Sequence, residues 1–318
     1  MSLLLIVLIV GAAALLVLLL VAAIGWFGSE KALKPAFYAE EHTFEEFSLR
    51  PERVSFLTDD GLKLSAHFLG GSNGATIILC HGYGRQHEEM IPHAAYLNRR
   101  GFACLLFDQR SRGASEGKLV SVGGLERWDV IAAIDYLQSR NDVDRAHIGV
   151  FGVSGGAAAA VLAAAEDERL KAVAIECCFR NVRSVVASSF KHFTGLPAFP
   201  FADVTVKMAE VRIGYSADVL APERVVAAIS PRPILFMHGE ADRAIACSDS
   251  VHLHELAGAP KELWMIPESG HAKGLEIAGE EYERRVAEFF DRYLLDTSRV
   301  DRVINGVPDP RQSRGTSR

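Results

Sequence analysis

Nine consecutive residues organise this chain: Ile148-Gly149-Val150-Phe151-Gly152-Val153-Ser154-Gly155-Gly156, followed at once by an alanine-rich segment, residues 157–165. The apolar run predicts a buried strand, the small residues a tight turn, and the alanines a helix. The turn has the spacing G-x-S-x-G, which holds its serine strained and exposed at the strand end. The helix begins beside Ser154, so its free N–H groups point toward the serine oxygen. This pattern predicts a nucleophilic serine, with a simple tight turn as the alternative.

Short apolar runs alternate with helical stretches on both sides of this turn. Continuous apolar runs are typical of strands buried on both faces, and a hairpin at Asp59-Asp60-Gly61 precedes them. This repetition predicts a doubly wound, mostly parallel α/β sheet with its site at the carboxyl ends of the strands. Besides the strand and helix at the turn, we predict strands at 54–58, 62–69, 75–80, 102–107, 171–175, 233–237 and 262–266, and helices at 90–100, 125–139 and 280–294.

The composition is that of a globular protein with one large domain or two small ones. The chain has 318 residues, 49% hydrophobic and 23% charged, with a net charge of −6. This mild negative charge gives no reason to expect nucleic acid as a partner. The five cysteines form no C-x-x-C spacing, so we expect neither a disulfide framework nor a zinc or redox site.

The N-terminal segment is far more apolar than the rest of the chain. Residues 3–27 are 25 consecutive residues without a charge, and a helix needs about 20 to cross a bilayer. A cleaved signal peptide is the alternative, but its apolar core is usually about 7–15 residues long after a basic start. Trp26 and Phe27 suit an interfacial anchor, and Lys31 and Lys34 follow the segment while no basic residue precedes it. We therefore predict a retained single-pass anchor in the lipid bilayer, with the catalytic domain on the cytoplasmic side.

A long insertion interrupts the alternation of strands and helices. Its aromatic and proline-rich centre lies within about residues 178–230, and connections of this length are usually functional. We predict a mostly helical cap over the site, with a structural insertion as the alternative. The candidate substrate-contacting residues in it are Phe190, Phe193, Phe199 and Phe201. The predicted division is an anchor at 1–28, a linker at 29–50, an α/β domain at 51–296 containing the cap, and a loose tail at 297–318.

Two polar segments follow the ends of later predicted strands: His238-Gly239-Glu240-Ala241-Asp242 and Ser269-Gly270-His271. A nucleophilic serine needs a base to take its proton, and the base needs an acid to hold its tautomer. We expect Asp242 to orient His271, and His271 to deprotonate Ser154. Glu240 is the alternative acid, and His238 is interpreted as a structural histidine that supports the turn.

A tetrahedral intermediate also needs hydrogen-bond donors for its oxyanion. The backbone N–H of Gly155 is one candidate, and the loop His81-Gly82-Tyr83-Gly84 supplies the N–H of Tyr83 as the second. A simple glycine turn is the alternative for this loop. These groups supply their own base and donors, so we expect no cofactor and no metal. His252 and His254 are two positions apart on a predicted helix and do not share a face, which argues against a metal pair there.

Five segments in this order resemble the α/β-hydrolase superfamily, and the resemblance covers about residues 50–295. They are H-G-Y-G at 81–84, D-Q-R-S-R-G-A-S-E-G at 108–117, G-V-S-G-G at 152–156, H-G-E-A-D at 238–242 and S-G-H at 269–271. More narrowly, the chain resembles the membrane-anchored serine aminopeptidase-like and lysophospholipase-like hydrolases. Ser111 stands where that family usually has a glycine, and Ala244-Ile245-Ala246 where valine and proline are common, so both turns are expected to differ locally.

The resemblance implies an α/β-hydrolase sheet with a cap and the chain order serine, acid, histidine. It implies a membrane-tethered serine hydrolase that cleaves an ester or thioester of a small-molecule or acyl substrate through an acyl-enzyme. A peptidase or amidase is the alternative within enzymes. A non-catalytic binding protein is the alternative outside them, because a fold alone does not fix function.

Overall fold

Eight strands form a single sheet that carries the candidate site. The structure is a computed structural model and describes residues 2–34, 42–195 and 197–295, with the backbone alone at residues 189–194. The strand order is β1-β2-β4-β3-β5-β6-β7-β8. The strands are β1 Glu52–Leu57, β2 Lys63–Leu69, β3 Thr76–Cys80, β4 Ala103–Phe107, β5 Ile148–Val153, β6 Leu170–Glu176, β7 Ile234–Gly239 and β8 Lys261–Ile266.

The first hairpin is antiparallel and joins the sheet through β2, which pairs antiparallel with β4. The remaining neighbours pair in parallel. Every residue of β3, β4 and β5 is buried, because helices cover both faces. The predicted doubly wound, mostly parallel sheet is confirmed.

Nine α-helices in the described residues surround the sheet or extend from it. They are α1 Leu3–Leu33, α2 Ile91–Arg99, α3 Arg127–Ser139, α4 Gly155–Glu166, α5 Val182–Thr194, α6 Phe201–Ile213, α7 Pro222–Val225, α8 Ser248–Leu256 and α9 Gly274–Leu294. Short 3-10 helices lie at His87–Met90 and Val226–Ile229. The core cluster on one face of the sheet includes residues of α3, α4 and α8, and the cluster on the other includes residues of α2 and α9. The second half of α9 begins where the sequence predicted a helix at residue 280, because Gly279 interrupts it with φ +48°.

The N-terminal part of the structure differs from the predicted division. The predicted boundary at residue 28 falls inside α1, which continues to Leu33 and buries Gly25, Ser29 and Leu33. Phe44 and Phe47, within the predicted linker, pack against the core beneath α2 and α9. In the described residues, α1 alone is long and apolar enough to cross a membrane, a test that an N-terminal signal sequence also passes. The predicted tail at 297–318 lies outside the described residues.

Between β6 and β7 the chain leaves the sheet for about 55 residues and forms α5, α6, α7 and the second 3-10 helix. Helix α6 packs against both α5 and α1. The insertion therefore packs against the apolar N-terminal helix.

Candidate active site

Ser154 lies in a strained turn between β5 and α4. Its backbone has φ +53° and ψ −115°, a conformation that non-glycine residues rarely adopt. The two motif glycines are required by close packing, since a Cβ on Gly152 would lie 2.4 Å from the carbonyl oxygen of Gly156, and one on Gly156 2.3 Å from that of Cys80. The sequence pattern predicted an exposed serine, but only 9% of Ser154 is accessible. The serine is therefore a shielded nucleophile candidate.

The structure brings together the three side chains that the strand ends predicted. The Nε2 atom of His271 lies 3.0 Å from the Oγ atom of Ser154. Its Nδ1 atom lies 2.7 Å from Oδ2 of Asp242. Asp242 follows β7 and His271 follows the adjacent strand β8, so parallel pairing carries both residues to the same edge of the sheet as Ser154.

The Asp242 side chain is completely buried and surrounded by donors. Its Oδ1 atom accepts the backbone N–H groups of Ala244 and Ile245, at 2.8 and 2.9 Å. Burial alone would raise the pKa of Asp242, but hydrogen bonds from His238 and His271 bring that pKa well below its usual value. The ionised carboxylate places the neutral His271 proton on Nδ1, leaving the lone pair of Nε2 directed at Ser154. Residues 244–246, where the sequence departs from the usual valine and proline, thus form a turn whose backbone N–H groups are bound by the Asp242 carboxylate.

His238 forms a further contact with the carboxylate of Asp242. Its Nε2 atom lies 3.2 Å from both Oδ2 of Asp242 and the carbonyl oxygen of Ile245, which are acceptors, so Nε2 carries the proton. Its Nδ1 atom then accepts the hydroxyl of Ser250 at 2.7 Å. The side chain of His238 is fully buried, as a structural histidine should be. Glu240, the alternative acid, is exposed.

The two predicted oxyanion donors lie side by side. A Cβ built on Gly155 would come within 3.3 Å of the backbone nitrogen of Tyr83. The loop that carries Tyr83 is held by Glu89, which accepts the N–H of Gly82 at 2.5 Å. It is also held by His81, whose Nε2 accepts the N–H of Gln109 at 3.0 Å. Burial lowers the pKa of His81 to about 4, so this ring is neutral at pH 7 and can accept that bond.

The loop below the site is fixed by Asp108, which accepts the backbone N–H groups of His87 and Ala114 at 3.0 and 3.2 Å. Ser111 has φ +63°, so it takes the left-handed conformation that a glycine would adopt freely. Its hydroxyl donates to the carbonyl oxygen of Leu119 at 3.0 Å. Serine therefore occupies a left-handed backbone position in this loop.

Sequence reasoning missed Glu176, a carboxylate buried at the end of β6. Burial raises its pKa, while hydrogen bonds from the Tyr282 hydroxyl (2.5 Å) and the Gly274 N–H (2.9 Å) act in the opposite direction. Gly274 lies three residues after His271, so Glu176 ties the histidine loop to the sheet. The backbone carbonyl of Glu176 also accepts the N–H of Ser154 at 2.8 Å. The signal in the sequence was an acidic residue directly after the apolar run at residues 172–175.

The structure describes the side chains of two of the four aromatic cap candidates, Phe199 and Phe201. Phe199 is 78% exposed, and Phe201 is half-buried at the start of α6. The side chains of Phe190 and Phe193 lie outside the described residues. A mostly apolar cavity, which we name the chamber, lies between the end of α1, α5 and α6, and neither Phe199 nor Phe201 is among its described lining residues.

Within the part of the chain that the structure describes, two groups of side chains have the spacing of metal ligands. The atoms of Cys177, Asp242 and His271 lie within 4.8 Å of one another. Burial holds the Cys177 thiol protonated by raising its pKa, and metal binding requires the thiolate. The second group is His87, Glu88 and Asp108, where His87 is already hydrogen-bonded to Asp108 at 2.8 Å. Both groups are better explained by hydrogen bonding within the protein.

Residues 71–211 match the family model described as serine aminopeptidase, S33. The structure is also similar to that of the esterase Pf2001 of Pyrococcus furiosus, with a TM-score of 0.70 and 24% identity, over 83% of this chain and 99% of that one. The chain has the α/β-hydrolase fold. It is 28% identical over 263 residues to the uncharacterized protein YfhR of Escherichia coli (strain K12), covering 80% of this chain and 85% of YfhR. It is 36% identical over 142 residues to the thiohydrolase aneE of Aspergillus aculeatus, covering 43% of this chain and 42% of aneE.

Proposed function

We propose that this protein is a membrane-tethered serine hydrolase that cleaves a carboxylic ester or thioester through an acyl-enzyme. The observation that carries the proposal is the unbroken hydrogen-bonded series from Ser154 Oγ to His271 (3.0 Å) and from His271 to Asp242 (2.7 Å). Such a series activates a hydroxyl that is otherwise a poor nucleophile.

The reaction follows from this geometry in two halves. His271 Nε2 takes the proton of Ser154 as Oγ forms a bond to the substrate carbonyl carbon. The backbone N–H groups of Tyr83 and Gly155 donate to the oxyanion that develops. His271 then returns the proton to the departing alkoxide or thiolate as its bond to carbon breaks. In the second half, His271 deprotonates a water that attacks the acyl carbon, and the bond to Ser154 Oγ breaks as the serine regains a proton.

The similarity to proteins named esterase and thiohydrolase supports an ester or thioester as the substrate. The family model that matches residues 71–211 is named for serine aminopeptidases, which supports a peptidase as the second candidate. A p-nitrophenyl ester, the matching thioester and an amino-acid p-nitroanilide, compared on one enzyme preparation, distinguish them. The proposal requires kcat/KM for the ester or thioester to exceed that for the anilide, and the reverse order would favour the peptidase.

The apolar helix supports the tethering part of the proposal. None of residues 3–24 is buried in the protein, and this segment spans about 33 Å at 1.5 Å per residue, enough for a hydrocarbon core of about 30 Å. The following helical turns of α1 bury Gly25, Ser29 and Leu33 against the catalytic domain, which favours a retained helix over a cleaved signal peptide.

The orientation in the membrane is proposed from two basic residues. Lys31 and Lys34 follow the apolar segment and favour an orientation with the catalytic domain on the cytoplasmic side. Protease protection of the domain in right-side-out vesicles would support that orientation, and digestion would contradict it.

Replacing the candidate nucleophile tests the proposed function. We expect Ser154→Ala to abolish ester hydrolysis while thermal unfolding stays close to that of the wild type, because the change removes one small hydroxyl. Ser139→Ala, at the exposed end of α3, is the matched control and should keep full activity. Hydrolysis that survives Ser154→Ala at the wild-type rate would remove Ser154 from the mechanism.

A further inference from the structure

We propose that the end of α1 is part of the substrate site, where Ala32 and Leu33 of its last turn form one wall of the chamber, which takes the acyl chain of a lipid ester. This inference rests on the proposed ester hydrolysis and names its substrate class. The helix would then serve both as a tether and as a determinant of chain-length specificity.

The end of α1 is packed tightly against α6 of the cap. A Cβ built on Gly25 would lie 2.4 Å from Val204, and one built on Gly28 2.5 Å from Thr205. The absence of side chains at these two positions lets the helices approach closely, as small residues do at helix interfaces. The same face buries Ser29 and Leu33.

Polar contacts bind the last turn of α1 to the oxyanion loop. The final carbonyl groups of a helix have no partner within the helix. Here the Tyr83 hydroxyl donates to the carbonyl oxygen of Ala32 at 2.7 Å and lies 3.2 Å from that of Lys31. The N–H of Val120 donates to the carbonyl oxygen of Leu33 at 3.0 Å. Tyr83 thus joins the helix end to the loop whose backbone N–H is a candidate oxyanion donor.

A cationic side chain of the cap fixes the preceding turn. The guanidinium of Arg212, near the end of α6, lies 4.8 Å from the ring centre of Trp26. It donates to the hydroxyl of Ser29 at 3.1 Å and to the carboxylate of Glu30. These contacts with α6, together with those of Tyr83, hold the helix end in one place relative to the site.

These contacts place the last turn of α1 at one side of the chamber. Its walls include Ala32 and Leu33 of α1, Val206 and Ala209 of α6, and Val182 and Val186 of α5, with Ser121, Thr205 and Glu210 as the polar lining residues. A lining that is mostly apolar suits a hydrocarbon, because apolar surface leaves water on binding.

Val122 connects the chamber to the candidate catalytic residues. It lines both the chamber and a second cleft that is bounded by Tyr83 and Gly155. Its φ of +58° is strained for a β-branched residue, as is common beside functional sites. A substrate carbonyl bound between the two oxyanion donors would therefore have its acyl chain next to the chamber.

Filling the chamber from α1 tests the proposal. Ala32→Phe adds a ring to the chamber wall, whereas Ala23→Phe adds the same ring at an exposed position of the same helix. We expect Ala32→Phe to lower the ratio of kcat/KM for p-nitrophenyl dodecanoate to that for p-nitrophenyl butanoate at least about tenfold, since each methylene excluded from an apolar pocket costs about tenfold or more. Ala23→Phe should leave this ratio unchanged.

An unchanged ratio in folded Ala32→Phe, or an equal fall in Ala23→Phe, would overturn the inference. Failure of the proposed function gives a different result, because wild-type protein would then hydrolyse neither ester. If Ala32→Phe lowers the unfolding temperature too far for assay, Ala209→Phe fills the chamber from α6, with exposed Val211→Phe as its control. The same fall in ratio is expected for Ala209→Phe alone, and its absence would also overturn the inference.

Discussion

Replacing Asp242 by asparagine is a nearly isosteric test of how the site works. Oδ1 of Asp242 accepts the backbone N–H groups of Ala244 and Ile245, at 2.8 and 2.9 Å. An asparagine must keep its oxygen at this position, because an NH2 group cannot accept these bonds. Its NH2 group therefore replaces Oδ2, at the position that lies 2.7 Å from His271 Nδ1.

This substitution reverses the position of the proton on His271. The new amide donates to Nδ1, so the neutral ring carries its proton on Nε2, 3.0 Å from Ser154 Oγ. A protonated Nε2 cannot accept the serine proton. The same aspartate-to-asparagine change in a serine protease triad lowers kcat about 10⁴-fold, which corresponds to about 5.4 kcal/mol in the activation barrier. We expect a loss of kcat of this order for Asp242→Asn.

The assay is hydrolysis of p-nitrophenyl butanoate at saturating substrate, with thermal unfolding measured on the same preparations. Glu240→Gln is the matched control, because it removes one carboxylate charge two residues away at an exposed side chain. It should keep wild-type kcat. Retention of more than about a tenth of wild-type kcat by folded Asp242→Asn would contradict this role of Asp242, because so small a loss does not fit a disabled general base. Loss of activity in Glu240→Gln would contradict it as well.

Two further predictions concern stability. Gly28→Leu should lower the unfolding temperature, because a Cβ at this position would lie 2.5 Å from Thr205 and overpacking costs about 1–3 kcal/mol of stability. Gly11→Leu is the control and should leave the unfolding temperature unchanged, because a Cβ there would meet nothing within 4 Å. Equal melting curves for the two variants would contradict the packing of α1 on the cap. The second prediction concerns two buried histidines. Burial lowers the pKa of His81 to about 4 and that of His93 to about 3, whereas a histidine in the unfolded chain has a pKa of about 6.5. At pH values between these pKa values, the unfolded chain therefore binds more protons than the folded chain. The free energy of unfolding should therefore be highest above about pH 6.5 and fall as the pH drops toward 4, by up to about 2.7 kcal/mol per pH unit for the two histidines together. Denaturant unfolding at pH 7 and pH 5 measures this loss. A denaturant midpoint that is the same at both pH values would contradict the prediction.

The sheet and the candidate triad could be predicted because their signals are local. Continuous apolar runs mark strands that are buried on both faces, and parallel strands bring their carboxyl ends to one edge. Polar residues just after those ends, such as Asp242 and His271, were therefore expected near Ser154. The tight G-x-S-x-G spacing also predicted the strained backbone of Ser154, which has φ +53°.

The contacts of α1 could not be predicted, because they depend on packing between distant segments. Ser29 and Arg212 are 183 positions apart, and nothing in either segment indicates the other. Most of the described residues that line the chamber are alanine, valine, leucine and isoleucine, which are the residues of any core, so only the three-dimensional arrangement distinguishes them. The aromatic residues of the cap gave a stronger signal in the sequence, yet exposed Phe199 does not line the chamber.

Covalent labelling with a fluorophosphonate, followed by peptide mass spectrometry, tests the central claim most directly. The reagent reacts with a serine only where a base activates the hydroxyl. We expect one adduct per chain, located on Ser154 between β5 and α4, and no adduct in folded His271→Ala. An adduct on another residue, or an unlabelled Ser154 in folded wild-type protein, would contradict the claim that His271 activates this serine.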